Sequence, residues 1–286
     1  MKTRIQTPAV FDTPETGTAS QRTSMKTRIQ TDEYQGEALL PEYVSTHIHE
    51  NKDSNKMKTR IQTTTFRVRY LFDRPVSGTA EEVRGFFGCL FPEETLLHQH
   101  LPSKQQQTLY RYPLVLYRPP SQQEISLLGI DAGAATLAAV YDQFESITLG
   151  SREYRVRERQ GVLRSEPFGL APAPVSYRFL TPWLPLSQKN YARFAALRTR
   201  TEQQALLERI LVGNLLSASK SLGYTVPGRI VVVLDDDWTT EVRQAKNVPV
   251  IGVRGGFSAN FQIPEGMGIG RAVSRGNGVC RPSPKP

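Results

Sequence analysis

Cysteine and histidine are both scarce in this sequence, and their scarcity excludes several classes of protein. The 286 residues contain two cysteines and four histidines. Two cysteines, Cys89 and Cys280, cannot form a zinc ribbon or the disulfide framework of a small secreted domain. No apolar run reaches the roughly 18 residues that a membrane-spanning helix needs, and the first residues lack the apolar centre of a signal peptide. We therefore expect a cytoplasmic protein with no membrane partner.

Positive charge is the main bias of the composition. Lysine and arginine total 36 against 27 acidic residues, which gives a formal charge of +9. Such an excess favours a polyanionic partner such as nucleic acid. The apolar fraction of 38% is enough to fill the cores of one large or two small domains.

The heptapeptide MKTRIQT occurs three times, at residues 1–7, 25–31 and 57–63. Each copy has one aliphatic residue, and the spacing is unequal, so the copies lack the periodic apolar positions of a solenoid. We predict that residues 1–63 are a mostly disordered tail. A second hypothesis is that the copies are repetitive DNA read in frame, with translation normally starting at Met57.

The pattern from Thr64 onward predicts a first α+β domain over residues 64–160. Residues 64–72 alternate polar and apolar side chains as a half-buried strand does, and residues 80–91 have the apolar spacing of an amphipathic helix. Two further strands, a second helix and the short strand SITLG follow. The order βαββαβ is that of the ferredoxin-like fold shared with the RRM.

Residues 161–286 are predicted to form a second ferredoxin-like domain whose second helix is reduced or lost. We expect an irregular connection over residues 151–176, with room for a hairpin, because charged and proline-rich stretches mix there. A strand, a long helical region over 188–222 and further strands then follow. The predicted fold class is therefore α+β, with two tandem ferredoxin-like domains and a glycine-rich loop near the C-terminus.

All four histidines lie in two His-x-His pairs, His47/His49 and His98/His100. The second pair follows the first predicted helix and precedes a strand. In extended chain, this spacing places both imidazoles on one face, where side chains with pKa values near about 6.5 can share acid and base work. Two other interpretations remain: a solvated loop with no catalytic role, and a metal site, which the lack of a nearby cysteine or carboxylate cluster disfavours.

A glycine-rich segment, IPEGMGIGRAVSRGNGVC, lies near the C-terminus. Glycines allow backbone N–H groups to approach a phosphate, and arginines add bidentate hydrogen bonds. No Gly-Lys-Ser/Thr follows, so the segment is not a Walker loop. The alternative is a turn that needs glycine only for its backbone geometry.

These motifs together resemble one family, the sixth CRISPR-associated family of repeat-processing endoribonucleases. Six fragments in family order carry the resemblance: RGFFGCLFP with HQH, YRYPLVLYR, LLGIDAGAATL, YRFLTPWLPLSQKNY, ILVGNLLSASKSLGY and GFSANFQIPEGMGIGRAVSRGNGV. They cover about residues 64–280. The sequence is most similar to the branch with a His-x-His element after the first helix, which implies two ferredoxin-like domains and a C-terminal glycine-rich loop.

The resemblance implies cleavage within the CRISPR repeat by a ribose 2′-OH, without metal or other cofactor. It makes His98 and His100 the catalytic pair and assigns phosphate placement to Tyr110, with Tyr112 or Lys104 as weaker candidates. The implied RNA-binding residues are Lys104, Gly268, Gly270, Arg271, Ser274, Arg275, Gly276 and Gly278. Additional candidates for RNA contact are Arg69, Arg84 and Arg178.

The implied partner is CRISPR repeat RNA, and other subunits of an interference complex or a second copy of the chain are further candidates. An alternative function is a non-catalytic RNA-binding subunit of the same system, in which the histidines are idle.

Overall fold

The computed structural model describes residues 9–10, 26–30, 40–54, 59–98, 111–245 and 248–283. The helices are α1 (Leu40–Ser54), α2 (Ala80–Leu90), α3 (Thr95–His98), α4 (Ala132–Val140), α5 (Gln188–Ala196), α6 (Arg200–Ser221) and a 3₁₀ turn (Val273–Arg275). The strands are β1 (Ala9–Val10), β2 (Lys26–Gln30), β3 (Arg60–Phe72), β4 (Val115–Tyr117), β5 (Glu124–Ile130), β6 (Ser146–Leu149), β7 (Arg152–Phe179), β8 (Val232–Leu234), β9 (Thr239–Ala245), β10 (Val248–Arg254), β11 (Gly256–Gln262) and β12 (Cys280–Pro282). None of the helices in these ranges is long and apolar enough to cross a membrane.

The four strands of the first domain have the order β7-β3-β5-β4 with antiparallel neighbours. Strand β2, from the segment that was predicted to be disordered, pairs in parallel with the other edge of β7, and β1 pairs with β2. Helix α2 begins at a capping box in which Thr79 and Glu82 bond each other's backbone N–H groups. Its apolar face, with Val83 and Phe87, packs in one core with Tyr70 of β3. Within this domain the order is 4-1-3-2, which is the ferredoxin-like arrangement.

The second sheet repeats that order as β12-β7-β11-β8. Helices α5 and α6 occupy the position of the first ferredoxin-like helix, between β7 and β8. Residues 263–279, between β11 and β12, form a loop with one 3₁₀ turn where the second helix would stand. The predicted tandem ferredoxin-like domains, with a lost second helix, are therefore confirmed.

Strand β7 differs from the prediction, because an irregular connection was expected over residues 151–176 and the structure has one strand from Arg152 to Phe179. Buried Tyr154 and Val156 alternate with exposed Arg155 and Arg157, so the two-residue period is present. Pro172 and Pro174 belong to a bulge, since the pairing with β11 shifts register across residues 170–175, whereas Pro167 pairs with Gln62 of β3. The predicted domain boundary between residues 160 and 161 falls inside this strand.

The same strand corrects the assignment of SITLG as the fourth strand of the first sheet. The first half of β7 holds that position beside β3, and β6 instead forms a hairpin with β7. The tight turn between Leu149 and Arg152 makes this local pairing possible.

A second core joins the two domains. It combines Leu116, Leu128 and Ile130 from the first sheet with Leu207 and Leu211 of α6. Leu116 and Leu128 are cross-strand partners and share a face of the sheet. They alternate with Val115, Tyr117 and Leu127, which belong to the core with α2, so they lie on the opposite face. The second domain therefore covers the helix-free face of the first sheet.

Helix α1 lies within the region that was predicted to be mostly disordered. Leu40, Tyr43, Val44 and Ile48 form an apolar stripe at helical spacing, and Val44 is fully buried in the first core. The sequence prediction missed this stripe because polar residues dominate the segment. Strand β3 also begins earlier than predicted, at Arg60.

Replacing Val44 by alanine is expected to lower the free energy of unfolding by about 1–3 kcal/mol, because it removes buried methyl groups and leaves a cavity between α1 and the first core. Chemical denaturation measures the change. Ser45→Ala, at an exposed position of the same helix turn, is the control and should change stability by less than about 0.5 kcal/mol. Equal effects of the two substitutions would show that α1 does not pack on the core.

Candidate functional site

His98 is the last residue of α3, a four-residue helix that follows α2 after a short turn. Its Nε2 atom lies 3.0 Å from the carbonyl oxygen of Pro92. Because a carbonyl only accepts hydrogen bonds, Nε2 carries the proton in this contact, and the lone pair of a neutral imidazole is then on Nδ1.

Side chains from two other elements fix the end of α3. The hydroxyl of Tyr117 donates to the carbonyl oxygen of Leu97 at 3.0 Å, and the Nη2 of Arg84 donates to the carbonyl oxygen of His98. The last carbonyls of a helix have no partner within it, so these bonds hold a segment that is too short to hold itself. Gly88 completes this arrangement, since a Cβ there would lie 3.0 Å from the Cβ of His98.

The first domain holds the start of the glycine-rich loop through backbone carbonyls. Arg67 donates to the oxygen of Glu265 at 2.8 Å, and Arg118 donates to the oxygen of Gly266. Burial lowers the pKa of Arg118 to about 10, and the nearby charge of Arg67 acts in the same direction. Both guanidinium groups are therefore directed at the loop backbone.

Tyr112 has a structural role in the same region. It is buried, and its hydroxyl donates to the carbonyl oxygen of Gly268 at 2.7 Å. Burial also raises the pKa of this hydroxyl, so it stays a neutral donor at physiological pH. This contact occupies the group that was considered as a weaker candidate for placing phosphate.

Backbone geometry explains two of the loop glycines. Gly276 has φ of +80°, and a Cβ there would lie 2.7 Å from Cδ of Pro119. Gly278 has φ of +65°, and a Cβ there would lie 1.9 Å from the carbonyl oxygen of Ile269. Gly276, Gly278 and Gly268 are buried, so the loop needs these glycines for its own shape. Their contact with RNA stays a prediction.

The polar side chains of the loop meet helix α2 at the 3₁₀ turn. The Nη1 of Arg84 lies 3.5 Å from Oγ of Ser274, and the Nη2 of Arg275 lies 3.2 Å from Oε1 of Glu81. Arg271 is exposed and donates to the carbonyl oxygen of Leu186 at 2.7 Å. Arg84 therefore contacts both the loop and the backbone of His98.

The structure brings part of the predicted site together. His98, Ser274 and Arg275 lie around Arg84. Arg271 and Gly270 instead lie nearer residues 183–186, in the connection between β7 and α5, with Gly270 against Trp183. His100, Lys104 and Tyr110 are outside the described residues, and so their roles stay predictions.

Two of the additional candidates for RNA contact have other partners. Arg178 forms an ion pair with Asp237 at 2.8 Å, and Arg69 lies 3.6 Å from a carboxylate oxygen of Glu124. The described ranges hold no group of three histidine, cysteine or acidic side chains that could bind a metal ion.

Three residues of α2 contact the site. Sequence analysis named one of them, Arg84, as an additional candidate for RNA contact, and it did not identify the other two. Glu81, Arg84 and Gly88 contact Arg275, Ser274 and His98, respectively, and they stand three and four positions apart on α2. Residues at this spacing share one face of a helix. The signal that could have identified them is this second face, which lies beside the apolar one.

Two models of known protein families match most of the chain. The family model of the Cas6b N-terminal domain matches residues 60–166, and that of the Cas6b C-terminal domain matches residues 169–283. The chain belongs to the Cas6b family. Both matches begin after α1, so this helix lies outside the residues that the two models cover.

Individual proteins are also similar to this chain. An uncharacterised protein of Methanocaldococcus jannaschii is 39% identical over 132 residues, which cover 46% of this chain and 88% of that protein. The solved structure described as "Crystal structure of Cas6b" has a TM-score of 0.69 at 26% identity, over 78% of this chain and all of the other. A second, described as a CRISPR RNA processing endoribonuclease Cas6b, has a TM-score of 0.58 at 25% identity, over 77% of this chain and all of the other.

The contact between Gly88 and His98 predicts a difference between two alanine substitutions in α2. Gly85→Ala should raise helix stability by about 1 kcal/mol, because nothing lies within 4 Å of the new Cβ. Gly88→Ala gains the same helix propensity but presses on His98, so it should stabilise less and shift the imidazole resonances of His98. Thermal unfolding and NMR of the labelled imidazole measure both effects.

Equal stabilisation by the two substitutions, with unchanged His98 resonances, would mean that α3 does not pack on Gly88.

Proposed function

We propose that this chain is an endoribonuclease that cleaves CRISPR precursor RNA within the repeat and needs no metal ion. A solved member of the same family is described as a CRISPR RNA processing endoribonuclease. The observation that supports the proposal most is the double contact of Arg84 with the carbonyl oxygen of His98 and with Oγ of Ser274. It supports the proposal because it joins the segment that carries His98 to the loop that we expect to bind the RNA backbone.

The proposed reaction is an internal transfer at phosphorus. The ribose 2′-OH attacks the adjacent phosphate, a bond forms between the 2′-oxygen and phosphorus, and the bond from phosphorus to the 5′-oxygen breaks. The products are a 2′,3′-cyclic phosphate and a 5′-OH. One of His98 and His100 takes the proton of the 2′-OH, and the other donates a proton to the leaving 5′-oxygen or positions it. Tyr110 places the phosphate, and Lys104 contacts the RNA.

The glycine-rich loop and its arginines hold the RNA backbone in this proposal. Arg271 and Arg275 supply positive charge, Ser274 supplies a hydroxyl, and the glycines allow the tight backbone turns that hold these side chains in the loop. Firm binding matters because in-line attack requires the 2′-oxygen, phosphorus and 5′-oxygen to be aligned. We further propose that the enzyme acts in the cytoplasm.

Purified protein is expected to cleave its repeat RNA in the presence of EDTA, and a 2′-deoxy substitution at the cut site should block cleavage because the nucleophile is missing. His98→Ala should lower the single-turnover rate by about 10²- to 10⁴-fold, the usual contribution of general acid–base catalysis. Gel analysis of end-labelled RNA measures the rates and identifies the cyclic phosphate.

A requirement for magnesium would contradict the proposed chemistry. Unchanged processing by the variant with both His98→Ala and His100→Ala would favour the non-catalytic RNA-binding subunit instead.

Loop arginines that contact RNA phosphates should contribute to the dependence of RNA affinity on salt concentration. Arg275→Gln is expected to reduce the slope of log K against log salt by about 0.7, the value for one contact with a single-stranded phosphate. Arg193→Gln, at an exposed position of α5 far along the chain from the loop, is the control and should leave the slope unchanged. Titration of 2′-deoxy repeat RNA at several salt concentrations measures both. Equal slopes for all three proteins would exclude Arg275 as a phosphate contact.

A further inference from the structure

Arg84 joins two parts of the site that come from opposite ends of the folded chain. Its Nη2 donates to the carbonyl oxygen of His98, 14 residues away, and its Nη1 contacts Oγ of Ser274, 190 residues away. The side chain is partly buried between α2, α3 and the 3₁₀ turn, and Ser274 is 7% exposed. A guanidinium can make both contacts because its donors form a rigid planar fork.

The charge around Arg84 is not balanced by the described carboxylates. Glu81 is the nearby acidic residue, but it is 58% exposed in its side chain and is paired with Arg275. Burial lowers the pKa of Arg84, and the positive charge of Arg275 lowers it further. Two neighbouring guanidinium groups with one exposed carboxylate leave a local excess of positive charge. Such arrangements cost stability and are concentrated at functional sites, where an anion balances them.

We propose that Arg84 is a positioning residue for His98, and that it couples the position of His98 to a phosphate of the RNA backbone bound at Ser274 and Arg275. This inference rests on the proposed function, since it assigns His98 to the reaction. The ligand is a phosphodiester group of single-stranded RNA. Arg84 acts through the backbone of His98 and through Ser274, and it transfers no proton itself.

The end of α3 explains why such a residue is needed. The short helix cannot satisfy its last carbonyls, and Tyr117 and Arg84 provide the two donors from outside. Loss of the Arg84 bond leaves the carbonyl of His98 without this donor and allows the imidazole to shift. A displacement of about 1 Å can cost about 10²-fold in rate, even when the chemical groups are all present.

The contact of Arg84 with Ser274 couples phosphate binding at the loop to the position of His98. A phosphate at Ser274 and Arg275 balances the excess positive charge and forms charge-assisted hydrogen bonds in a partly buried place. The Arg84 guanidinium then has an anion on the loop side and the His98 carbonyl on the other. Bound RNA therefore strengthens the arrangement that holds His98.

The test separates the rate of cleavage from the affinity for RNA. Arg84→Gln is expected to lower the single-turnover rate at saturating repeat RNA by about 10- to 100-fold, because His98 is displaced. The affinity for uncleavable 2′-deoxy repeat RNA should fall by less than about tenfold, since one phosphate contact at most is weakened. Arg84→Lys keeps the charge but not the fork, so it should restore affinity without restoring the rate.

Arg74→Gln is the matched control. Arg74 also donates to a backbone carbonyl, that of Glu153, but on the β6–β7 hairpin side of the first domain. This variant should cleave at the rate of the unmodified protein. Circular dichroism and thermal unfolding are recorded for all variants, and Arg84→Ala with added guanidinium provides a second test, in which cleavage should recover partly.

Three results would overturn the inference. The first is an unchanged rate in a folded Arg84→Gln protein, and the second is a loss of affinity with an unchanged rate at saturation, which would make Arg84 an RNA contact only. The third is full activity of Arg84→Lys, which would show that charge alone suffices. If Arg84→Gln fails to fold, the rate and affinity of Arg84→Lys decide. An unchanged rate for His98→Ala would instead reject the proposed function itself.

Discussion

The hydrogen-bonded ladder of β7 is the constraint on which the rest of the structure depends. This 28-residue strand is the fourth strand of the first sheet and the first strand of the second. At Gly169 it pairs with Arg60 of β3 on one edge and Gln262 of β11 on the other. A Cβ at Gly169 would lie 2.8 Å from Cα of Arg60 and 2.9 Å from the ring of Tyr224, so only glycine fits without displacement. The relative position of the domains is thus set by strand register.

That register places the loop between β11 and β12 against the first domain. The loop stands where a ferredoxin-like helix would pack, and side chains from the first domain replace the contacts of that helix. Arg67, Arg118 and Tyr112 hold backbone carbonyls at its start, and Arg84 meets Ser274 farther along. A loop held in this way can present arginines at a defined distance from α3.

Local patterns in the sequence predicted the elements, but not the contacts that build the site. The alternation of Phe66, Val68 and Tyr70 predicted β3, and the spacing of the two histidines predicted a site after α2. Strand β7 was misjudged because prolines in a bulge concealed its period. The role of Arg84 depends on Ser274, 190 residues later, and no pattern within one helix can specify such a partner. Helix α1 differs from Arg84, because its apolar stripe is a local pattern that the sequence does contain. The polar composition of the segment nevertheless favoured the prediction of disorder.

The most direct measurement is a crystal structure of the protein bound to repeat RNA with a 2′-deoxy nucleotide at the cut site. Our account predicts that the scissile phosphate lies within hydrogen-bonding distance of an imidazole of the His98/His100 pair. It also predicts that a neighbouring phosphate contacts Ser274 and Arg275, while Arg84 still donates to the carbonyl of His98. RNA bound on another face, with His98 remote from any phosphate, would contradict it.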